Sequence, residues 1–318
     1  MKKTPFIILL IGLITCGCVS NNGKNTTNET EDSLSLKVAL MPTLDCLPFY
    51  YAEKSGINNK LGLDVKLYTY NAQMDSDTAF VRQRVDVCYT DLIRAALLQS
   101  KGTPLHVIMK TNGHHELMTS KSKRISKTEH LKGKMVAIAR HSITDFLLDT
   151  LISCSDIDPS IVYHPQINNI VLRQDMMRNA TIDGAFLSEP YITQTKLEGH
   201  KSIMDSRTMD IELMAVMVNN NVLKDERKNE QIRLLIEGYN QAVTEINNNT
   251  YPDSIKKYIS QYPIEQYTID SLKMPNYQKA TPIADKDIQT AILFLRKREL
   301  IHEKYNGDTL SYSQFTQH

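Results

Sequence analysis

The sequence predicts an α/β protein of two similar units, each a mixed, mostly parallel sheet flanked by helices. Three observations predict it. Short apolar runs alternate with helical stretches, the loops between them are short, and the alternation restarts near residue 112. Parallel strands need a crossover connection, so strand–helix–strand repetition implies a sheet covered by helices.

In the first unit, Leu36-Lys37-Val38-Ala39-Leu40 reads as a strand. Residues 48–55 read as a helix closed by Gly56, and 63–68 as a second strand. A helix over 76–84, a strand over 85–89, a helix over 92–99 and a strand over 105–109 follow. The second unit opens with a strand over 135–139. An amphipathic helix spans 145–153, with Phe146, Leu147 and Leu151 on one side. Ile170-Val171-Leu172 reads as a short extended segment, 174–179 as a helix and 182–187 as a strand. Residues 213–218 read as a strand leading back to the first unit. The tail is helical: Ile232, Leu235, Ile236, Tyr239, Ala242, Val243 and Ile246 recur at helical spacing, as do Ile288, Ala291, Ile292 and Leu295. Such aliphatic stripes are core.

A chain of 318 residues suits about two domains of ordinary size. It carries 37 Lys+Arg against 36 Asp+Glu, which gives no electrostatic case for nucleic acid.

The N-terminus reads as an export signal. Lys2 and Lys3 precede an apolar run from Pro5 to Thr15, too short to span a bilayer. The run ends in Thr15-Cys16-Gly17-Cys18, which resembles a bacterial lipoprotein signal over residues 1–18. Cys18 is the preferred acylation site because Gly17 precedes it; Cys16 is the alternative, and an ordinary cleaved signal is another. Acyl chains anchor through roughly 0.8 kcal/mol per buried methylene. Residues 19–34, polar throughout Asn21–Asp32, read as a flexible tether. The remaining cysteines, Cys46, Cys88 and Cys154, lie among apolar neighbours and read as small buried hydrophobes, with a Cys46–Cys88 disulfide as the alternative.

Ordered motifs then carry a family resemblance. Pro48-Phe49-Tyr50-Tyr51-Ala52, Gly56, Gly62-Leu63-Asp64-Val65, Val85-Asp86-Val87 and Gly102-Thr103-Pro104-Leu105 occur in sequence. Leu131-Lys132-Gly133-Lys134, Ser188-Glu189-Pro190-Tyr191 and Tyr239-Asn240-Gln241-Ala242 continue the order. Together they resemble the nitrate/sulfonate/taurine and thiamine-pyrimidine-precursor binding proteins of ABC transporters. Two positions depart: Arg84 stands where the family usually has Gly, and Arg140-His141-Ser142-Ile143-Thr144 replaces its Gly/Ser/Thr-rich ligand loop. The resemblance implies a two-lobed, type II periplasmic binding protein. Lobe 1 would comprise residues 35–110 plus 215–318, and lobe 2 residues 111–214.

In such folds, ligands bind beyond the C-terminal strand ends and at helix N-termini. Lobe 1 then offers Met41, Thr43, Asp45, Phe49, Tyr89, Thr90 and Asp91, although Thr90 or Asp91 can simply cap the following helix. Lys110-Thr111-Asn112 reads as the hinge, and His114 follows it. Lobe 2 offers Arg140, His141, Ser142 and Thr144, with Ser142 and Asp145 forming a capping box. Arg140 can fork onto a carboxylate, phosphate or sulfonate, or pair with Asp145 or Asp149 on the surface. Glu189 can take a ligand amine or hold the hinge, and Tyr191 can stack on a ring. His114 and His115 are adjacent, so in a strand they point to opposite faces, a poor arrangement for one metal.

The expected function is the solute-binding component of an ABC importer, not an enzyme. It would sit in the periplasm or on the cell surface, lipid-anchored and monomeric, without cofactor, metal or nucleic acid. Its partners would be a small anionic or aromatic/heterocyclic solute and the permease and ATPase subunits. The alternatives are an enzyme on the same fold, of the pyrimidine-synthase or menaquinone-route type, and a transporter-free sensor or scavenger.

Overall fold

Strand β1 (Leu36–Leu40) opens the fold and lies inside the first sheet, one strand from its edge. The computed structural model describes residues 35–316, except 156, 249–254, 256–257 and 260. The export signal, tether and Cys18 therefore lie outside the described residues.

The first half runs α1 (Leu47–Lys54), α2 (Ile57–Leu61), β2 (Val65–Thr69), α3 (Gln73–Val81), β3 (Val87–Asp91), α4 (Leu92–Ser100) and β4 (Leu105–Lys110). The second half runs β5 (Glu116–Thr119), β6 (Val136–Ala137), α5 (Ile143–Ser153), α6 (Ile170–Arg178), β7 (Gly184–Leu187), α7 (Tyr191–Leu197) and β8 (Lys201–Asp205). Then come β9 (Met214–Asn219), α8 (Asn220–Lys224), α9 (Glu226–Asn247), α10 (Gln266–Ser271) and α11 (Asp285–Lys297).

Two sheets result. The first has the order β2-β1-β3-β9-β4, the second β6-β7-β5-β8. β1 pairs parallel with β2 and β3, and β6 with β7. The returning strand β9 inserts antiparallel between β3 and β4, with Tyr89 opposite Val216. β5 lies antiparallel to both β7 and β8. Both sheets are mixed, as expected, but parallel pairs do not predominate. The reason is that β9 and β5 both run against their neighbours.

Three local readings need correction. Ile170-Val171-Leu172 is the first turn of α6, not an extended segment. The Asn169 side chain accepts from the Leu172 N–H at 3.1 Å, and this cap overrides the β-branched pair's extended preference. Cys154 is exposed, just past the end of α5, while Cys46 and Cys88 are buried and free. The expected strand over 135–139 pairs as a ladder only at Val136–Ala137, with single bridges from Met135 to Tyr163 and Ile138 to Gln166.

The tail helices cover the first sheet's layer. α9 buries Ile232, Leu235, Ile236, Tyr239, Ala242, Val243 and Ile246, and packs on α1. Phe49 of α1 meets Tyr239 at 4.8 Å between ring centroids and is 2% exposed. α11 buries Ile288, Ala291, Ile292 and Leu295 against α4. Phe49 thus belongs to the core and not to a surface cleft.

Replacing Phe49 with Ala should therefore cost about 3–5 kcal/mol in chemical denaturation, the range for emptying a buried aromatic site. A loss below about 1 kcal/mol would show that Phe49 does not anchor the α1–α9 contact.

Candidate functional site

Residues just past the C-terminal ends of four strands meet in one gap between the sheets. Met41 and Thr43 follow β1, Asp91 ends β3, Ala139 follows β6, and Ser188 follows β7. Gln73, Tyr89, His115, Ser142, Thr144, Asn168, Arg173 and Met214 complete the lining with Ile143 and Ile170. The gap holds about 50 Å³. That is far below the ~300–1,000 Å³ of ordinary ligand pockets, so the two sides are closed on one another.

Cross-gap bonds hold this closure. The Leu44 N–H donates to the Glu189 carbonyl at 2.9 Å, and Ile170 N–H to the Asn71 carbonyl at 3.0 Å. Arg94 Nη1 donates to the Arg140 carbonyl at 3.2 Å. Asp91 caps α4 by accepting from the Arg94 N–H at 3.0 Å, and it also accepts from the Ile143 N–H of α5. One carboxylate thus satisfies the N-termini of two helices on opposite sides of the gap. Burial nevertheless raises its pKa to about 6, opposed by the Arg94 guanidinium and these N–H donors.

The hydroxyls at the α5 start are already engaged. Ser142 Oγ donates to the Ala139 carbonyl at 2.6 Å and accepts from the Thr144 N–H at 3.2 Å. Thr144 Oγ1 accepts from the Ala139 N–H at 2.9 Å. Asp145 accepts from the His141 N–H at 2.9 Å, one residue outside the position the capping box expects. Its ion-pair partner is Arg298, which also reaches Asp149, rather than Arg140.

The histidines separate as adjacent residues should. His115 lines the gap. Burial, aided by the neighbouring Arg173 charge, lowers its pKa to about 3, so it is neutral at physiological pH. His114 lines a second, open groove of about 870 Å³ together with Asn112, Glu189, Lys196 and Arg207. Glu116 in that groove is paired with both Lys196 and Arg207. Among the described residues, no cluster of three His, Cys, Asp or Glu side chains can hold a metal ion.

The remaining sequence candidates fall in several places. Met41, Thr43, Tyr89, Asp91, Ser142 and Thr144 line the closed gap. Asn112, His114 and Glu189 line the open groove instead. Glu189 accepts from the Thr193 N–H at 3.0 Å, and Asn112 accepts from the Gln278 N–H at 2.8 Å. Asp45, Phe49, Thr90 and Tyr191 are buried behind the lining, Arg140 is exposed, and His141 is half-buried beside it. The strand-end argument missed Arg173, His115, Gln73 and Asn168. Arg173 had a signal in Asn169, whose capping role starts the helix that carries it.

Asp45 supports the gap from below. The Tyr89 hydroxyl donates to Asp45 Oδ2 at 2.6 Å. A Cβ on Gly113, in the segment joining β4 to β5, would fall on this carboxylate and on the Met214 side chain, so only glycine lets the chain pass.

The two facing mixed sheets, with a returning strand in the first and a gap at the strand ends, define the type II periplasmic binding protein architecture. By sequence, the chain belongs to the NMT1/THI5-like family, whose model matches residues 43–249, well over half its length. Solved structures agree on the fold. The alkanesulfonate-binding protein of Xanthomonas axonopodis pv. citri, bound to MOPS, superposes with TM-score 0.74 at 12% identity, over 86% of this chain and 96% of that one. The zinc-bound ligand-binding component of an ABC-type import system from Staphylococcus aureus gives 0.73 at 14%, over 88% and 97%. The periplasmic nitrate-binding protein of Synechocystis PCC 6803 gives 0.72 at 11%, over 85% and 83%. No curated protein matches the chain by sequence.

Burial raises the Asp45 pKa to about 6, with the Tyr89 bond opposing and the Glu189 charge adding to it. An unfolded Asp titrates near ~3.9. Between those values the folded chain keeps a proton that the unfolded chain has lost. The stability this proton contributes is full below about pH 4 and is lost as pH rises through about 6. Asp45→Asn should therefore stabilise the protein at pH 8 by on the order of 2–3 kcal/mol, and by much less at pH 4. Melting curves at the two pH values check this; an equal effect at both would remove Asp45 as a titrating group.

Proposed function

We propose that this chain is the extracytoplasmic solute-binding component of an ABC importer. It holds a small anionic or aromatic/heterocyclic solute between two lobes. The single observation that carries the reading is the gap itself, where four strand ends and the α5 N-terminus converge on a nearly closed space lined by Asp91, His115 and Arg173. The roles of the structural relatives support it: alkanesulfonate binding, nitrate binding and ABC-type import.

In this reading, residues 35–110 with 215–318 act as lobe 1 and residues 111–214 as lobe 2. The 50 Å³ gap is the closed state, and the lobes swing apart to admit solute. Closure excludes water, which strengthens each polar contact to the solute. The permease and ATPase subunits then receive solute from the closed form, because only closure brings the outer surfaces of both lobes into register. The protein works as a monomer outside the cytoplasmic membrane, held there by acyl chains on Cys18.

Small-angle scattering and thermal shift with a panel of metabolites test the clamp. At least one solute should reduce the radius of gyration and raise the melting temperature. A panel in which nothing compacts or stabilises the protein would remove the reading. The anchor has a separate test in palmitate labelling of the bacterial cell. Cys18→Ala should abolish incorporation and Cys16→Ala should preserve it; an unlabelled wild-type chain would rule out lipidation.

A further inference from the structure

Arg173 is the one buried basic side chain of the gap, and among the described residues it has no counter-ion. It stands in the first turns of α6, with its backbone N–H donating to the Asn169 carbonyl at 3.0 Å. The residue is only 5% exposed. Its Nε and Nη1 are buried and make no hydrogen bond. Arg94, Arg178 and Lys228, by contrast, are matched by Asp77, Glu198 and Asp86. Burial alone pulls the Arg173 pKa to about 10, so the guanidinium stays charged at neutral pH. A buried charge with unmade hydrogen bonds is costly, and natural proteins rarely keep one without use.

The buried carboxylates Asp91 and Asp45 are engaged elsewhere. Asp91 serves the N-termini of α4 and α5, and Asp45 receives the Tyr89 hydroxyl. The side chain beside Arg173 is the neutral His115, whose Nδ1 also lacks a partner. The gap therefore offers a planar cation with free N–H donors, next to an uncharged imidazole.

We propose that Arg173 is the anion receptor of this gap and takes the compact oxyanion head of the solute, a carboxylate, sulfonate or nitrate group, with His115 beside it as a neutral hydrogen-bonding partner. This rests on the solute-binding reading above and narrows it to anions. The Arg fork matches two oxygens of such a head in one plane. The size agrees: a gap of about 50 Å³ is small and suits a compact head group. A larger organic body would extend through a wider opening of the lobes. The charge also biases closure, because an anion that pairs with Arg173 only in the closed form shifts the population toward it.

The test compares wild type, Arg173→Met and Arg173→Lys by titration calorimetry, thermal shift and scattering. The probes are sodium nitrate, sodium acetate, MOPS and the uncharged ring compound uracil. Wild type should bind at least one anion, compact with it and ignore uracil. Arg173→Met should lose at least about 100-fold in affinity for that anion, while Arg173→Lys keeps charge without the fork and falls between. Ligand-free Arg173→Met should melt at or above the wild-type temperature, which separates lost binding from lost folding. Nitrate alone acting would identify a free inorganic oxyanion; acetate or MOPS acting would identify the head of an organic acid. Equal anion binding by wild type and Arg173→Met would overturn the assignment while leaving the clamp intact. A response to uracil and to no anion would overturn it as well. Wild type that compacts with no solute of any class would instead bring down the clamp reading and the assignment with it.

Discussion

A guanidinium enclosed by protein and left without a counter-charge is the constraint around which the gap is organised. Neither Asp91 nor Asp45 pairs with Arg173: helix N-termini hold the first, and the Tyr89 hydroxyl donates to the second. Nearby His115 is pushed to its neutral form by burial and by the same guanidinium. Electrostatics inside the gap is therefore unfinished, and in the proposed reading an anion from outside completes it. Charge burial is tolerated in proteins where a function repays the desolvation, and in the proposed reading solute capture is that function.

The closed geometry depends on a second device, which is backbone and not charge. Leu44 to Glu189, Asn71 to Ile170 and Arg94 to the Arg140 carbonyl form a seam of short bonds across the gap. Asp91 adds to it by reaching the N–H groups of both flanking helices. These bonds satisfy groups that water would satisfy in an open form, so their net contribution is modest, about 0.5–1.5 kcal/mol each. Modest bonds suit the proposed clamp, whose lobes would part at low cost and leave the balance to the solute's own contacts.

Much of the fold was legible in the sequence because its signals are local. The stripes on α9 and α11, the strands of the first sheet and the Asp91 and Ser142 caps all follow from periodicity and capping chemistry. Sheet direction was less legible, since whether β9 and β5 run with or against their neighbours is set by pairing across long chain separations. The site was legible only in part. Met41, Tyr89, Asp91 and Thr144 lie where strand ends place them. Arg140 was the attractive cation by position, yet its side chain faces solvent, and the buried cation comes from α6. Reading Ile170-Val171-Leu172 as extended split that helix and left Arg173 in an apparent linker. Burial depends on the approach of two distant segments, and no local pattern encodes that.

The central claim is that an anion sits between the two sheets at Arg173. Anomalous diffraction from a crystal soaked in sodium bromide tests it most directly. The account predicts a strong anomalous peak within hydrogen-bonding reach of Arg173 Nε and Nη1, beside His115. Bromide confined to the outer surface, with Arg173 turned onto a protein carboxylate, would contradict it.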